Sequence, residues 1–287
     1  MARPPAELTV IGEWSSGGIR LTTAWGAPPP TGWTAPILTT GWALTLVRRG
    51  AYRRRGDGQE HIVDGNTGFL RGPGQQVSTA TIPDTIELLT TVGIEPPFLH
   101  HLPDLTSIRG PITVEPWVAL AHRLLLRSLE ERDDALCMEA AVVDLVSRCL
   151  RQSAPQRRIG RRASTAAVRR RLVTDVLELL NTSFCEPHGL VDLARLVGAS
   201  PCHLSRVFRE VTGMTLSQYR ARLRVHAVLD RLEQGERNLS AVAAATGFSD
   251  HGHMTRTVIG HLGDTPSGVR LQLARHRGPS PALIRSA

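Results

Sequence analysis

At 287 residues and 41% hydrophobic, with no apolar run of about 18 or more, the chain has the length of two ordinary domains, each able to bury a core, and lacks the pattern of a membrane-spanning protein. All 34 basic residues are arginine and they are unevenly placed: residues 1–150 carry 13 Arg against 16 acidic residues and residues 151–287 carry 21 against 10, so a net of −3 is followed by a net of +11 within the overall +8. Such asymmetry argues against a uniform chain and points to one half that faces a polyanion and one half with another task.

In chain order, the opening MARPPAELTV has no apolar signal-peptide core, so a cytoplasmic location and no membrane partner are expected. Residues 1–110 read as β-rich. The stretch TTGWALTLVRRGAYRRRGDGQEHIV puts Trp42, Leu44 and Leu46 on one face of a strand, and Gly56-Asp57-Gly58 is a hairpin signal. Turns follow at Asp64-Gly65-Asn66 and Gly72-Pro73-Gly74, and IELLTTVG (86–93) reads as a further strand. Short strands at regular spacing with Gly/Pro turns suggest a barrel or jelly roll.

Four of the five tryptophans lie between Trp14 and Trp42. Trp25, Trp33 and Trp42 fit either a small-molecule pocket or plain core, and the residues do not decide between them. His61, His100 and His101 lack the His-x-His and Glu pattern of a barrel metal site, so neither metal nor other cofactor is expected. Arg53-Arg54-Arg55 beside the hairpin turn is expected as a solvated edge.

From about Pro116 the pattern turns helical. WVALAHRLLLRSLEE and DALCMEAAVVDLVSRCLRQ are apolar-striped segments that suggest an antiparallel pair. Cys137, Cys149, Cys185 and Cys202 show no Cys-x-x-Cys spacing or disulfide framework and are expected as reduced thiols. Residues 151–171 hold 8 Arg and no acid, which reads as a linker running into a helix, either a solvated tether or a nonspecific phosphate contact. The expected organisation is a sensor or dimerisation domain at 1–152 (barrel about 1–112, helices about 115–152), a linker at 153–168, a helical domain at 169–275 and a flexible tail at 276–287.

The helical half contains an internal repeat. HLSRVFREVTG (203–213) aligns with HMTRTVIGHLG (253–263) at a shift of 50, and LVDLARLVG (190–198) with LSAVAAATG (239–247) at a shift of 49. Each copy reads as helix, glycine turn, helix. In the first, Ser200 before Pro201 makes an N-cap, and Leu204, Val207, Phe208 and Val211 form one face. Cys202, Ser205, Arg206 and Arg209 fall on the other, a composition suited to a major groove, with Arg206 towards guanine and Arg209 towards phosphate. Between the copies, LSQYRARLRVHAVLDRLEQG (216–235) reads as a connecting helix through Tyr219, Leu223, Val228 and Leu232. Two rigidly spaced reading helices would enter successive major-groove segments about one helical turn, or roughly 34 Å, apart.

With these motifs, LARLVGASPCHLSRVFREVTGMTLSQYRARLR and LSAVAAATGFSDHGHMTRTVIGHLGDTPSGVR, residues 172–272 resemble the DNA-binding domain of the AraC/XylS family of bacterial transcription regulators. The resemblance implies seven helices with two helix-turn-helix units joined by a long helix. It also implies an N-terminal cupin-like domain for effector sensing or dimerisation, which the first half resembles in outline. By position, the base-facing set becomes Cys202, Ser205, Arg206 and Arg209 in the first unit and His251, Gly252, Thr255 and Arg256 in the second. His203 and His253 fall at structural positions near the helix starts. The second unit departs from the family pattern at Val258, Ile259 and Gly260, where an aromatic and basic residues are usual.

The expected function is therefore a sequence-specific, non-enzymatic transcription regulator that binds double-stranded promoter DNA. Its further partners would be a small-molecule effector, RNA polymerase and a second copy in a homodimer. Two alternatives stay open: a cupin-type enzyme fused to a DNA-binding domain, and a ligand-free dimerising regulator.

Overall fold

The computed structural model describes residues 9–26, 32–83, 85–102, 105, 110–130, 134–152 and 163–275. Most of the expected linker (153–162) and the expected tail (276–287) lie outside them. The first half folds as β1 (Thr9–Ser16), β2 (Ile19–Gly26), β3 (Ile37–Leu38), β4 (Trp42–Arg49), β5 (Ala51–Gly56), β6 (Gln59–Asp64), β7 (Thr67–Arg71), β8 (Gln76–Thr81), β9 (Glu87–Ile94) and β10 (Gly110–Thr113). The order across the antiparallel sheet is β1-β2-β9-β4-β7-β6-β5-β8-β3, with β10 on β7. The β5–β6 hairpin closes through Asp57 (φ 52) and Gly58 (φ 71), both left-handed, as a two-residue turn with right-handed strand twist requires.

Successive side chains on a strand face opposite ways, and the sheet rolls so that one set meets inside. Ala24, Val47, Tyr52, Val63, Phe69 and Leu89, from six different strands, form one buried cluster there. The opposite set is covered by helices. Leu44, Leu46, Leu70, Val92 and Ile94 pack beneath α1 (Pro116–Glu130) and α2 (Ala135–Gln152), the antiparallel pair expected from the apolar stripes. Trp42 belongs to this covered side, and β5 and β6 send Ala51 and Ile62 outward instead to α3 (Ala163–Ser183). α3 thus begins within the stretch expected as linker, with Ala166 buried in its first turn.

The Arg53-Arg54-Arg55 run corrects the expectation of a solvated edge. Arg55 is exposed and lies 4.0 Å from the Trp33 ring, and Arg53 reaches outward to Glu178 on α3 at 2.6 Å. Arg54 points into the roll with only 3% of its surface exposed, its guanidinium 3.3 Å above the Phe69 ring. Strand alternation forces this result: beside buried Tyr52, every second residue of β5 must face inward.

The second half is helical throughout: α3, α4 (Leu190–Leu196), α5 (Pro201–Thr212), α6 (Leu216–Glu233), α7 (Leu239–Ala245), α8 (His251–Leu262) and α9 (Pro266–Arg275). These seven match the count that the resemblance implied. No helix of the described residues is long and apolar enough to cross a membrane.

The two halves do not keep separate cores. One cluster joins Ala51, Ile62 and Ile82 of the β-domain to α3, α4, α5 and the first half of α6. The other joins the α1–α2 side of the sheet to the second half of α6, α7, α8 and α9. Polar groups reinforce both junctions. The turn at Asp64-Gly65-Asn66 plugs between α3 and α6, where Asp64 accepts from the Tyr219 hydroxyl at 2.6 Å and from Asn181 at 2.8 Å, and Asn66 donates to the Tyr219 carbonyl at 3.1 Å. Burial pushes the Asp64 carboxyl up against the opposing pull of these donors. At the other end of α6, fully buried Arg123 donates to Asp230 at 2.5 Å, and Arg48 donates to Glu233 at 2.7 Å. Burial raises the Glu233 carboxyl, but Arg48, Arg123 and Arg127 more than offset it and leave the group below its usual range.

Candidate nucleic-acid interface

The two repeat copies fold alike. α4 ends in a turn at Gly198 (φ 67) and α7 in a turn at Gly247 (φ 77), left-handed positions that glycine adopts without strain. α5 and α8 each run for 12 residues and each end on a left-handed glycine, Gly213 and Gly263. Their starts are capped by different residues doing one job. The Ser200 hydroxyl accepts from the His203 amide at 3.3 Å, and the Asp250 carboxylate accepts from the His253 amide at 2.7 Å. That amide bond pulls the Asp250 carboxyl below its ordinary value, with Ser249 adding to it. α6 sets the spacing between the copies. It begins at a capping box in which Thr215 and Gln218 satisfy each other's amides, and it buries Tyr219, Leu223, Val228, Leu229 and Leu232.

In α5, Leu204, Val207 and Phe208 are buried, with Phe208 edge-on to Tyr219 at 5.6 Å between ring centres. The opposite face presents Cys202, Ser205, Arg206 and Arg209, all exposed. The Arg206 guanidinium lies 3.4 Å from the His203 ring nitrogen, a neighbour one turn back that helps orient it. Arg209 extends from the same face towards the helix end. Glu210, beside them, turns away to pair with Arg169 of α3 at 2.8 Å.

In α8, Met254 and Val258 are buried and His251 and Arg256 are exposed, while Gly252 and Thr255 are half-buried. The Thr255 hydroxyl lies 3.4 Å from the His251 ring, so two of the expected reading residues already touch. A Cβ at Gly252 would lie 3.1 Å from the Asp250 carboxylate and 3.5 Å from the Arg256 guanidinium, so a larger residue there would crowd both the cap and the arginine. His253 sits at the helix start, bonded to Ser249 at 3.1 Å and edge-on to Phe248 at 5.3 Å. Gly260 is exposed with open space around its Cα, and the helix continues through it to Leu262. Ile259 is exposed where Arg209 stands in the first copy.

The structure therefore gathers the first set on one face of α5 and the second set on the matching face of α8. It does not gather the three tryptophans. Trp42 lies in the core beneath α1 and α2, Trp33 lies beneath Arg55, and Trp25 is half-buried on β2. Of the inward residues of the roll, Tyr52, Arg71 and Glu87 were not singled out from the sequence, Arg54 was expected on a solvated edge, and His61 was weighed only as a metal ligand. Counting alternate positions from Tyr52 would have found Arg54. His100 and His101 lie in a short 3-10 helix, Pro96–His101, away from His61 on β6. Among the described residues no three His, Cys, Asp or Glu side chains group as metal ligands.

Residues 193–272 match the family model described as a helix-turn-helix domain. The chain is 31% identical over 118 residues to the HTH-type transcriptional regulator GlxA of Rhizobium meliloti, covering 41% of this chain and 36% of that protein. It is 28% identical over 95 residues to the bifunctional transcriptional activator/DNA repair enzyme AdaA of Bacillus subtilis, covering 33% and 45%. The chain thus spans less than half the length of these two relatives. Against the probable transcription factor PqrA of Proteus vulgaris it is 30% identical over 101 residues, covering 34% of this chain and 83% of that protein. Among solved structures, an AraC-type transcriptional regulator from Chromobacterium violaceum is 28% identical at a TM-score of 0.35, covering 40% and 98%. ToxT from Vibrio cholerae is 10% identical at a TM-score of 0.35, covering 89% and 98%.

Proposed function

The chain belongs to the AraC/XylS family of helix-turn-helix transcription regulators, and from that premise we propose that it binds promoter DNA through α5 and α8 and is regulated through its β-domain. The observation that carries this reading is the duplication itself: two capped helices of equal length, each turning its apolar face inward and its polar face to solvent, fixed by one rigid connector. In this reading Arg206 and Arg256 donate to base edges, and Ser205, Thr255 and His251 add shorter contacts. Cys202 and Gly252 let the backbone approach the groove, and Arg209 anchors phosphate.

The β-domain bears on this through the shared cores. The first reading unit is held by α3 to β5 and β6, while the second is held to α1 and α2. A ligand that shifts β5 and β6 relative to α1 would therefore move one reading helix against the other, the differential contact that regulation requires. Nothing in this scheme assigns the β-domain a catalytic step.

The test is selection of bound duplexes from a random library by the full chain, followed by titration at several salt concentrations. A defined sequence bound well above random DNA, with affinity falling as salt rises, is expected. Recovery of no preferred sequence would overturn the reading.

A further inference from the structure

α6 fixes how far apart the two helix-turn-helix units lie, but a single helix does not by itself fix their rotation about its axis. A second connection runs between them. α3 and α4 are joined by residues 184–188, Phe-Cys-Glu-Pro-His. Phe184 packs against the core of the first unit, the cluster that holds Leu193, Leu204 and Phe208. The next residue reaches the second unit, where the Cys185 thiol donates to the Ala245 carbonyl at the end of α7 at 3.5 Å. A Cβ on Gly247 would lie 2.7 Å from the Cys185 Cα and 2.7 Å from its carbonyl oxygen. The turn before α8 therefore closes directly on the backbone of this loop.

Two arginines of α6 hold the loop in place. Arg224 donates from Nε to the Phe184 carbonyl at 3.0 Å, and Arg220, one turn earlier, donates to the His188 carbonyl. The Arg224 guanidinium also stands 5.8 Å from the ring of Phe248, which follows Gly247 and is buried in the core of the second unit. Both arginines are half-buried, and burial lowers both from the usual guanidinium value, with Arg224 adding to the effect on Arg220. Two like charges one turn apart, bonded to neutral carbonyls, disfavour folding. What they supply is direction, since each holds one end of the loop.

The repeat provides an internal control. Gly198 and Gly247 occupy matching positions, both left-handed, at φ 67 and φ 77. A Cβ on Gly198 would meet no atom within 4 Å, so the first turn needs glycine only for its backbone angle. The second turn needs it for the angle and also for the close approach of Cys185. The contact is thus an addition to the duplicated motif.

We propose that the 184–188 loop, held by Arg220 and Arg224 and abutted by Gly247, is a strut that sets the angle of the second reading helix against the first. Arg220, Arg224 and Gly247 are then positioning residues for DNA recognition: they decide which separation of two sequence elements the protein accepts. Gly247 leads into α8 through Phe248, Ser249 and the Asp250 cap, so a shift of the turn carries the helix start with it. This inference rests on both α5 and α8 reading DNA.

The experiment titrates the full chain against the duplex selected above and against two derivatives, with one base pair inserted or removed between its elements. Each change moves one element by about 3.4 Å and turns it by about 35° relative to the other. The parent should bind both derivatives about tenfold or more weaker than the selected duplex. Arg220→Met and Arg224→Met should bind the selected duplex less tightly and discriminate by only about threefold or less. Gly198→Asn should keep the parent's discrimination, because asparagine accepts the left-handed angle and meets open space there. Gly247→Asn carries the same angle but collides with Cys185, and should lose it. A purely structural role would lower the melting temperature and weaken all three duplexes in proportion, leaving their ratio unchanged.

Parent-like ratios in both arginine variants would overturn the proposal, even if Gly247→Asn does not fold. Equal loss of discrimination in Gly198→Asn and Gly247→Asn would overturn it as well. A parent that binds all three duplexes alike would overturn it and leave DNA binding standing. Failure of the parent to select any two-element site would overturn the two-helix reading itself, and the strut with it.

Discussion

Arg206 and Arg256 occupy one frame of a duplicated motif, yet their neighbourhoods differ. Arg206 shares its face with Arg209, whereas the position matching Arg209 in the second copy is exposed Ile259. In the proposed reading, losing Arg206 removes a base contact from the helix that also carries Arg209 as its phosphate anchor. Arg206→Ala is expected to weaken specific binding by ~1–3 kcal/mol and Arg256→Ala by less, as titration of the selected duplex will measure. The opposite order would contradict the asymmetry.

Outside the exposed faces of α5 and α8, His226 sits buried on α6 against Gly65, with neither ring nitrogen hydrogen-bonded among the described residues. Burial, with Arg123, Arg222 and His261 adding to it, lowers it from 6.5 to about 3. Between those two values the unfolded chain binds the proton and the folded chain does not, so stability is lost as pH falls through that window. From pH 7 to pH 5 this residue alone should remove about 2 kcal/mol. Denaturant midpoints for the parent and for His226→Leu will show it: the variant should lose less stability over the same range, and an unchanged pH slope would contradict the assignment.

At the scale of elements, the second reading helix keeps its shape despite its glycine. A Cβ on Gly260 would meet no atom within 4 Å, so Gly260→Ala should stabilise the protein by about 1 kcal/mol, seen as a higher melting temperature. A lower one would mean that the backbone at Gly260 is not helical. Gly65 is the opposite case. A Cβ there would lie 2.9 Å from the His226 ring, so Gly65→Ala should cost ~1–3 kcal/mol by forcing the turn out from between α3 and α6.

The contrast also shows what a sequence discloses. The repeat, its caps and its apolar stripes were legible because helix periodicity and turn glycines are local signals, and α5 and α8 follow them residue by residue. Asp64-Gly65-Asn66 reads locally as an ordinary turn, and only the tertiary fold brings Tyr219, 155 residues away, onto Asp64. Arg54 was hidden for a different reason. Three adjacent arginines look solvated until strand alternation is applied to each one. Trp25, Trp33 and Trp42 failed to converge because aromatic clustering in sequence says nothing of which face of a rolled sheet each residue takes.

At the scale of the whole molecule, the chain is two units by composition and one by packing. α6 is the shared member: its first half belongs to the core of the first reading unit and the β5–β6 edge, and its second half to that of the second unit and α1. The Arg48, Arg123 and Arg127 cluster around Asp230 and Glu233 fixes one end, and the Asp64 plug fixes the other. This arrangement makes the spacing between α5 and α8 a property of the whole chain. In the proposed function both helices read DNA at once.

The most direct test is to select the preferred site with the parent chain and then map, base by base, which positions each variant stops reading. Two sequence elements about 10 base pairs apart are expected, with Arg206→Ala losing discrimination in one and Arg256→Ala in the other. A single element, or two elements that both respond to Arg206→Ala and ignore Arg256→Ala, would contradict that function.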